Sequence, residues 1–295
     1  MHEAFDETCK AAEHRGLRVT GSELVGLIPL KAMTDAADFF LRKQNRSLGV
    51  SEREKIKIAI KSLGLDDLKP FDPGQKIIEY LLEKDQPEKL VDLTASDLTE
   101  ETASESVAPG GGSISAYVGA LGVALGTMVA NISAHKPGWD DRWEEFSDWA
   151  EKGQKYKDRL LFLVDEDTRA FNKIIEAFRM PKGSEEEIRK RKQAVEDATR
   201  YATEIPLQVM ETALSSMEVM EAMLEKGLQT SLSDAGVGIL CARTAVLGAY
   251  FNVKINAKDL KNRAAAEDLL AKAKRIYDEA LVREAEAIAF IESKM

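Results

Sequence analysis

The chain has 295 residues, 44% hydrophobic and 31% charged, so a sizeable core can form and wholesale disorder is excluded. A net charge of −10 and a pI near 5.1 argue against generic nucleic-acid binding, leaving room only for a local basic groove. The two cysteines, Cys9 and Cys241, make no CxxC or metal-spaced set, which argues against a disulfide framework or structural zinc and fits a reducing cytoplasm.

The N-terminal stretch MHEAFDETCKAAEHR is charged from the start and lacks the apolar run of a secretory signal. Residues 3–15 read as a helix ending at Gly16, and 17–27 (LRVTGSELVGL) as an extended segment rich in β-branched residues. Pro29 opens a second helix. Ser51 with Glu54 forms the capping-box pattern of a third, which stops at Gly64. A short apolar helix around 77–82 precedes the polar stretch EKDQPEK at 83–89, the expected domain boundary. Five of the eight prolines lie in the first 109 residues, so the two parts should differ in architecture. The expectation is a small α+β portion at 1–88 and a helical domain at 89–295.

A short helix at 96–104 leads to the turn Ala108-Pro-Gly-Gly-Gly-Ser113. Consecutive glycines can adopt positive φ and let a ligand approach the backbone, and Ser113 can cap the helix that comes after it. An equally open reading is a tight turn that needs glycine for packing alone. No lysine precedes Ser113, so the turn is not a P-loop. Residues 106–134 carry no charge and could span a bilayer by length, yet they are mostly Gly, Ala and Ser. No second uninterrupted span of this kind follows, so the segment reads as a helix buried on all sides of a bundle.

After a break at Lys136-Pro137-Gly138, a long helix runs from about 140 to 180. Its apolar stripe takes in Leu160, Val164, Phe171, Ile174, Ile175 and Phe178, and Asp167 falls on it. Asp165 and Glu166 can pair with Arg169 in an ordinary solvated arrangement. An inward carboxylate has a raised pKa suited to acid–base work, while the alternative is a structural carboxylate that caps or pairs with another helix. A further helix runs from 184 to 227 with a kink expected at Pro206. Its basic run Arg189–Lys192 reads as a solvated face that a polyanionic tail could meet. Helices at about 231–260 and 264–294 complete the bundle. Ser233 or Asp234 would cap the first of these, Gly236 and Gly238 imply close approach of a helix or ligand, and Asn252 and Asn256 share one face. His2, His14 and His135 are too scattered for a metal site, so no metal is expected.

Four ordered motifs in residues 94–295, APGGGS at 108–113, VDEDTRAF at 164–171, SDAGVG at 233–238 and GAYFNVKIN at 248–256, resemble the cyclodeaminase domain of the formimidoyltransferase-cyclodeaminase family. Residues 1–88, with VTGSELVGLIPLKAM at 19–33 and LGLDDLKPFDPGQKIIEYL at 63–81, resemble the last part of that family's transferase domain. The family's transferase histidine matches neither His2 nor His14, so the resemblance implies no transferase activity for this chain alone. It does imply a mainly α antiparallel bundle that converts 5-formimidoyltetrahydrofolate to 5,10-methenyltetrahydrofolate and ammonia in histidine degradation. Asp167 corresponds to the family's reactive aspartate. Gly110, Gly111, Gly112 and Ser113 would hold the pterin or its polar edge, Asp234 would orient it, and Asn252 would be a further substrate-binding residue. The implied substrate is a folate, with or without a polyglutamate tail, with no cofactor; composition and charge point to a cytoplasmic location with no membrane and no nucleic acid, and the apolar helices with small-residue faces to a homodimer or larger homo-oligomer. A methenyltetrahydrofolate cyclohydrolase and a non-catalytic helical partner module are the alternatives.

Overall fold

Helix-forming spacing and the scarcity of proline after residue 109 are realised as helix almost throughout. The computed structural model describes residues 1–83 and 89–295. Among the described residues eleven α-helices occur, in chain order α1 His2–Glu13, α2 Leu30–Lys43, α3 Glu52–Ser62, α4 Pro73–Lys76, α5 Ile78–Glu83, α6 Ala95–Ala103, α7 Gly111–Ala134, α8 Trp143–Arg179, α9 Glu185–Lys226, α10 Leu232–Asp259 and α11 Arg263–Glu292. The fold is therefore mainly α. Residues 84–88, most of the expected boundary stretch, lie outside the described residues.

The chain clusters into two units, Met1–Glu88 with Ser133–Glu151, and Lys89–Ile132 with Lys152–Met295. A single cut at 88/89 does not describe this division, because residues 133–151 go with the first unit. There Leu48 N–H donates to Ser147 Oγ at 2.9 Å, and a Cβ at Gly49 would lie 2.7 Å from Glu151 N.

The core of the first unit gathers Met33, Ala36, Ala37 and Phe40 of α2 against Ile56, Ala59 and Ile60 of α3, with Ile28, Leu63, Leu65 and Ile77. Ser51 caps α3 by accepting Glu54 N–H at 3.3 Å. The anticipated strand at 17–27 does not form: among the described residues the only pairing is one parallel bridge, Ile28 to Ile77. Val25 and Leu27 point outward, leaving no partner strand to build a sheet. The small α+β portion is thus helical with an extended connection.

In the second unit, α7 to α11 run up and down. Ser113 meets Asp167 and Gly119 meets Leu160 across α7 and α8. Tyr201 meets Glu166 across α8 and α9, and Asn256 meets Ala202 across α9 and α10. Tyr250 stacks on Tyr277, and Arg243 pairs with Glu284, across α10 and α11. With Arg159 also meeting Gln208 across α8 and α9 and Gly238 meeting Met220 across α10 and α9, numbers rise on one helix as they fall on the next in each case, so these neighbours are antiparallel. Ser184 and Glu187 close a full capping box at the start of α9.

Helix α7 packs antiparallel on α10 through glycine. A Cβ at Gly122 would lie 2.7 Å from Gly238 O, and one at Gly238 would lie 2.8 Å from Gly122 O. Gly238 therefore serves helix contact, as does Gly236, which faces Ile291. Among the described residues, two helical spans, Gly111–Ala134 and Gln229–Asp259, are long and apolar enough to cross a membrane; the second carries Asp234, Arg243 and Lys254 and so is not a second uncharged run. Within their most apolar windows, 61% and 44% of the residues are buried.

Candidate active site

The expected reactive carboxylate sits where α8 passes the first turn of α7. Asp167 lies between buried Val164 and Ala170 on the face α8 turns to the bundle. Phe171 and Phe178, assigned to the same stripe by spacing, are instead largely exposed, and the smaller Ala170 and Ala177 take the core positions.

Asp167 Oδ2 accepts the backbone N–H of Ser113 at 2.9 Å and lies 3.2 Å from Ser113 Oγ. Ser113 is the third residue of α7, so its N–H is one of the four that no intrahelical carbonyl can satisfy. A carboxylate from α8 supplies the missing acceptor and complements the helix dipole. Ser113 is thus not the cap of its own helix. It is fully buried and absent from the cavity wall, reaching the site through Asp167 and Thr168.

The glycine run acts in a way spacing did not reveal. Gly111 and Gly112 belong to α7, and none of the three glycines has positive φ. A Cβ on Gly112 would lie 2.6 Å from Asp167 Oδ2 and closer still to Oδ1, so glycine is required for the carboxylate to approach. A Cβ on Gly111 would lie 3.5 Å from Asn252 Nδ2, whereas Gly110 has open space around it.

A cavity of about 220 Å³ opens beside these groups, lined by Val107, Ala108, Gly110, Gly111, Gly112, Asp167, Thr168, Phe171, Ile174, Ala202, Asn252 and Asn256. Five of the seven residues proposed from sequence therefore face one space. Asp234 does not. It lies in the first turn of α10, 18 residues and about 27 Å along the helix from Asn252. Nor does it or Ser233 cap α10, whose N-cap is Ser231. Phe171 and Ile174 had been read as part of the apolar stripe of α8 and Thr168 as part of the motif at 164–171, none of them as a lining residue, and Ala202 had no distinguishing mark in the sequence.

Asn256 was legible as a face-sharing amide, and Pro206 explains its position. Proline has no N–H, so the carbonyl four residues back, Ala202 O, loses its helical donor. Asn256 Nδ2 supplies one from α10 at 2.7 Å. Asn252 Nδ2 donates to Gly248 O of its own helix at 2.9 Å. Each amide retains its Oδ1 as an acceptor at the cavity wall.

Burial pushes the Asp167 carboxyl above the usual range, and the two donors on Oδ2 only partly oppose it. Asp165 and Glu166 are not solvated, contrary to expectation. Asp165 is buried and accepts Leu90 N–H at 2.7 Å, and its pKa is also raised by burial. For Glu166, burial is outweighed by hydrogen bonds from Tyr201 and Arg169, leaving its pKa lowered. Of three adjacent carboxylates, Asp167 alone opens on the cavity. Among the described residues, no three His, Cys, Asp or Glu side chains converge as metal ligands.

Comparison with known proteins bears on the same residues. The formiminotransferase-cyclodeaminase family model matches residues 94–275, and the formiminotransferase domain model matches 1–83. The chain is 35% identical over all 295 residues to formimidoyltransferase-cyclodeaminase of Mus musculus and to that of Gallus gallus, and spans 54% of each. It thus covers about half the length of these relatives. A methenyltetrahydrofolate cyclohydrolase of Methylorubrum extorquens is 32% identical over 187 residues, 63% of this chain and 90% of that protein. The crystal structure of a formiminotetrahydrofolate cyclodeaminase from Thermotoga maritima shares the fold, with a TM-score of 0.60 at 23% identity over 68% of this chain and 96% of that one.

Proposed function

The chain belongs to the formimidoyltransferase-cyclodeaminase family, and from that premise we propose that it is a 5-formimidoyltetrahydrofolate cyclodeaminase with Asp167 as its acid–base group. The observation that carries this reading is a carboxylate raised in pKa by burial, anchored through one oxygen and opening on a cavity with no other charged group in its wall.

Ring closure needs N10 of the folate to attack the carbon of the protonated formimidoyl group (–CH=NH2+), forming a C–N bond at a tetrahedral centre that bears –NH2. N10 then gives up its proton, the –NH2 gains it, and the bond from carbon to that nitrogen breaks to release ammonia and leave the methenyl cation. A single carboxylate can accept the first proton and return it to the leaving nitrogen, with no net proton change. While charged, it also stabilises the cationic carbon. Phe171 and Ile174 offer apolar contact for a heterocycle, while the Oδ1 atoms of Asn252 and Asn256 accept from its N–H edge.

The polyanionic tail of a polyglutamylated folate suits a groove of about 620 Å³ lined by Arg189, Lys192, Gln193 and Lys261. Two carboxylates, Glu185 and Glu196, are also in its wall, and Glu196 is already occupied by the N–H groups of Lys261 and Asn262. We read the chain as a cytoplasmic homodimer that requires no metal or redox cofactor.

Following methenyltetrahydrofolate absorbance with the purified chain tests the assignment. Turnover should be lost in Asp167→Asn, and a folded variant that turns over like wild type ends the reading. The cyclohydrolase alternative is favoured by the Methylorubrum relative, most of whose length is matched. A higher kcat/KM for hydration of the methenyl bridge than for deamination would select it. Folate binding with no turnover of either substrate would make the chain a helical partner module.

A further inference from the structure

Ser113 offers its proton to two acceptors that it cannot serve together. Its Oγ lies 2.8 Å from Val164 O and 3.2 Å from Asp167 Oδ2, and a hydroxyl has one hydrogen. Thr168 Oγ1 lies 3.4 Å from the same oxygen, near enough to donate to a lone pair of Ser113. Both acceptors belong to α8, three residues apart, so turning the hydroxyl about its Cβ–Oγ bond exchanges them with no heavy atom moving. Meanwhile the Ser113 N–H holds Oδ2 in place, and the missing Cβ of Gly112 leaves room for Oδ1.

We propose that Ser113 is a positioning residue whose hydroxyl turns to Asp167 Oδ2 when the carboxylate is charged and back to Val164 O when it is protonated, so that the exchangeable proton is carried on Oδ1. In the charged state Oδ2 accepts both the N–H and the O–H of Ser113 and has little capacity left for a proton. Oδ1 has no such donors, so it takes the proton from substrate. On protonation the Ser113 hydroxyl swings to Val164 O, which stays satisfied. The hydroxyl turn makes and breaks no covalent bond, and the carboxyl's proton passes only between Oδ1 and substrate. The inference rests on the reading that Asp167 acts in turnover.

The groups facing Asp167 from each packed element are uncharged. They are Ser113 of α7, Thr168 of α8 itself, Ala202 of α9, Asn252 and Asn256 of α10, and Val107 and Ala108 of the preceding loop. The adjacent titratable groups of α8 are engaged elsewhere, Asp165 with Leu90 and Glu166 with Tyr201 and Arg169. The Ser113 hydroxyl is therefore the adjustable donor within reach of the carboxylate.

The test is direct titration of the Asp167 carboxyl by NMR in the full chain carrying 13C-carboxyl aspartate, with Asp167→Asn identifying the resonance. Ser113→Ala should raise that pKa by about one unit, the effect of losing one hydrogen bond to a charged group. The acid limb of the kcat profile should move by the same amount, with KM unchanged. Ser113→Cys, isosteric but a weak donor, should give an intermediate shift, and Thr168→Val a smaller shift in the same direction. A carboxyl pKa unchanged in Ser113→Cys and Thr168→Val overturns the inference, even if Ser113→Ala does not fold. If the pKa shifts as expected while Asp167→Asn retains full turnover, the positioning stands and the proposed reaction fails.

Discussion

Asp167 and Gly112 form one unit, and each constrains what the other can be. Burial raises the Asp167 pKa above its unfolded value, so the folded state prefers the protonated carboxyl. The stability this gives is fully present below the unfolded value of about 3.9 and is lost as pH rises through the folded value. At neutral pH the buried charge is a cost. Asp167→Asn is therefore expected to melt higher than wild type near neutral pH, by a margin that vanishes at acid pH, while losing roughly a hundredfold or more in turnover. Paired melting and rate measurements across pH check both signs. Gly112→Ala forces a Cβ into the carboxylate and should cost about 1–3 kcal/mol of stability together with turnover. Asp167 was legible because a charged residue on an apolar face is rare. The local pair of Glu166 with Arg169 was legible too, but the engagement of Asp165 with Leu90 and of Glu166 with Tyr201 was not, since those partners are distant in sequence and only packing brings them near.

Helix α9 illustrates how a local defect is repaired across an interface. The sequence showed Pro206 inside a long helix and pointed to a kink, and the structure contains it within one continuous 42-residue helix. The missing N–H frees a carbonyl on buried Ala202, and Asn256 donates to it from α10. Asn256→Leu should destabilise the wild-type chain by about 1–3 kcal/mol by orphaning that carbonyl. In a Pro206→Ala background, where residue 206 donates again, the same change should cost much less. A double-mutant cycle by urea unfolding measures the difference, and additive effects would show that the two residues are uncoupled. The α7–α10 contact makes a parallel prediction. Gly238→Ala should cost about 1–3 kcal/mol through overpacking, because the wall it meets is Gly122 backbone, which cannot rotate away.

The bundle leaves apolar surface on the two helices that lie side by side. Leu121, Met128 and Ile132 of α7 and Val237, Leu240, Phe251 and Ile255 of α10 are exposed, at positions where a monomer normally carries charge. The α7 residues fall in a seven-residue pattern, 121, 128 and, offset, 132, within a helix that has no charged side chain. A second copy of this uncharged face is the partner whose chemistry matches, which is the physical basis of the proposed homodimer. Leu121→Glu with Phe251→Glu should convert a dimer to monomer in light scattering, with helix content retained. An unchanged mass would move the interface elsewhere.

Periodicity and composition alone determined the helical class, the succession of long helices and the candidate carboxylate, because an amphipathic face and its exceptions are written within one turn or two of a residue. The motifs at 108–113 and 248–256 also announced themselves locally. Only the tertiary structure decided that the glycines make room for Asp167, that Ser113 serves the carboxylate from inside the core, and that residues 133–151 go with the first unit. The reason is common to all three. Each depends on which surface of one helix meets another, and a helical face has several neighbours it could satisfy until the whole bundle is assembled.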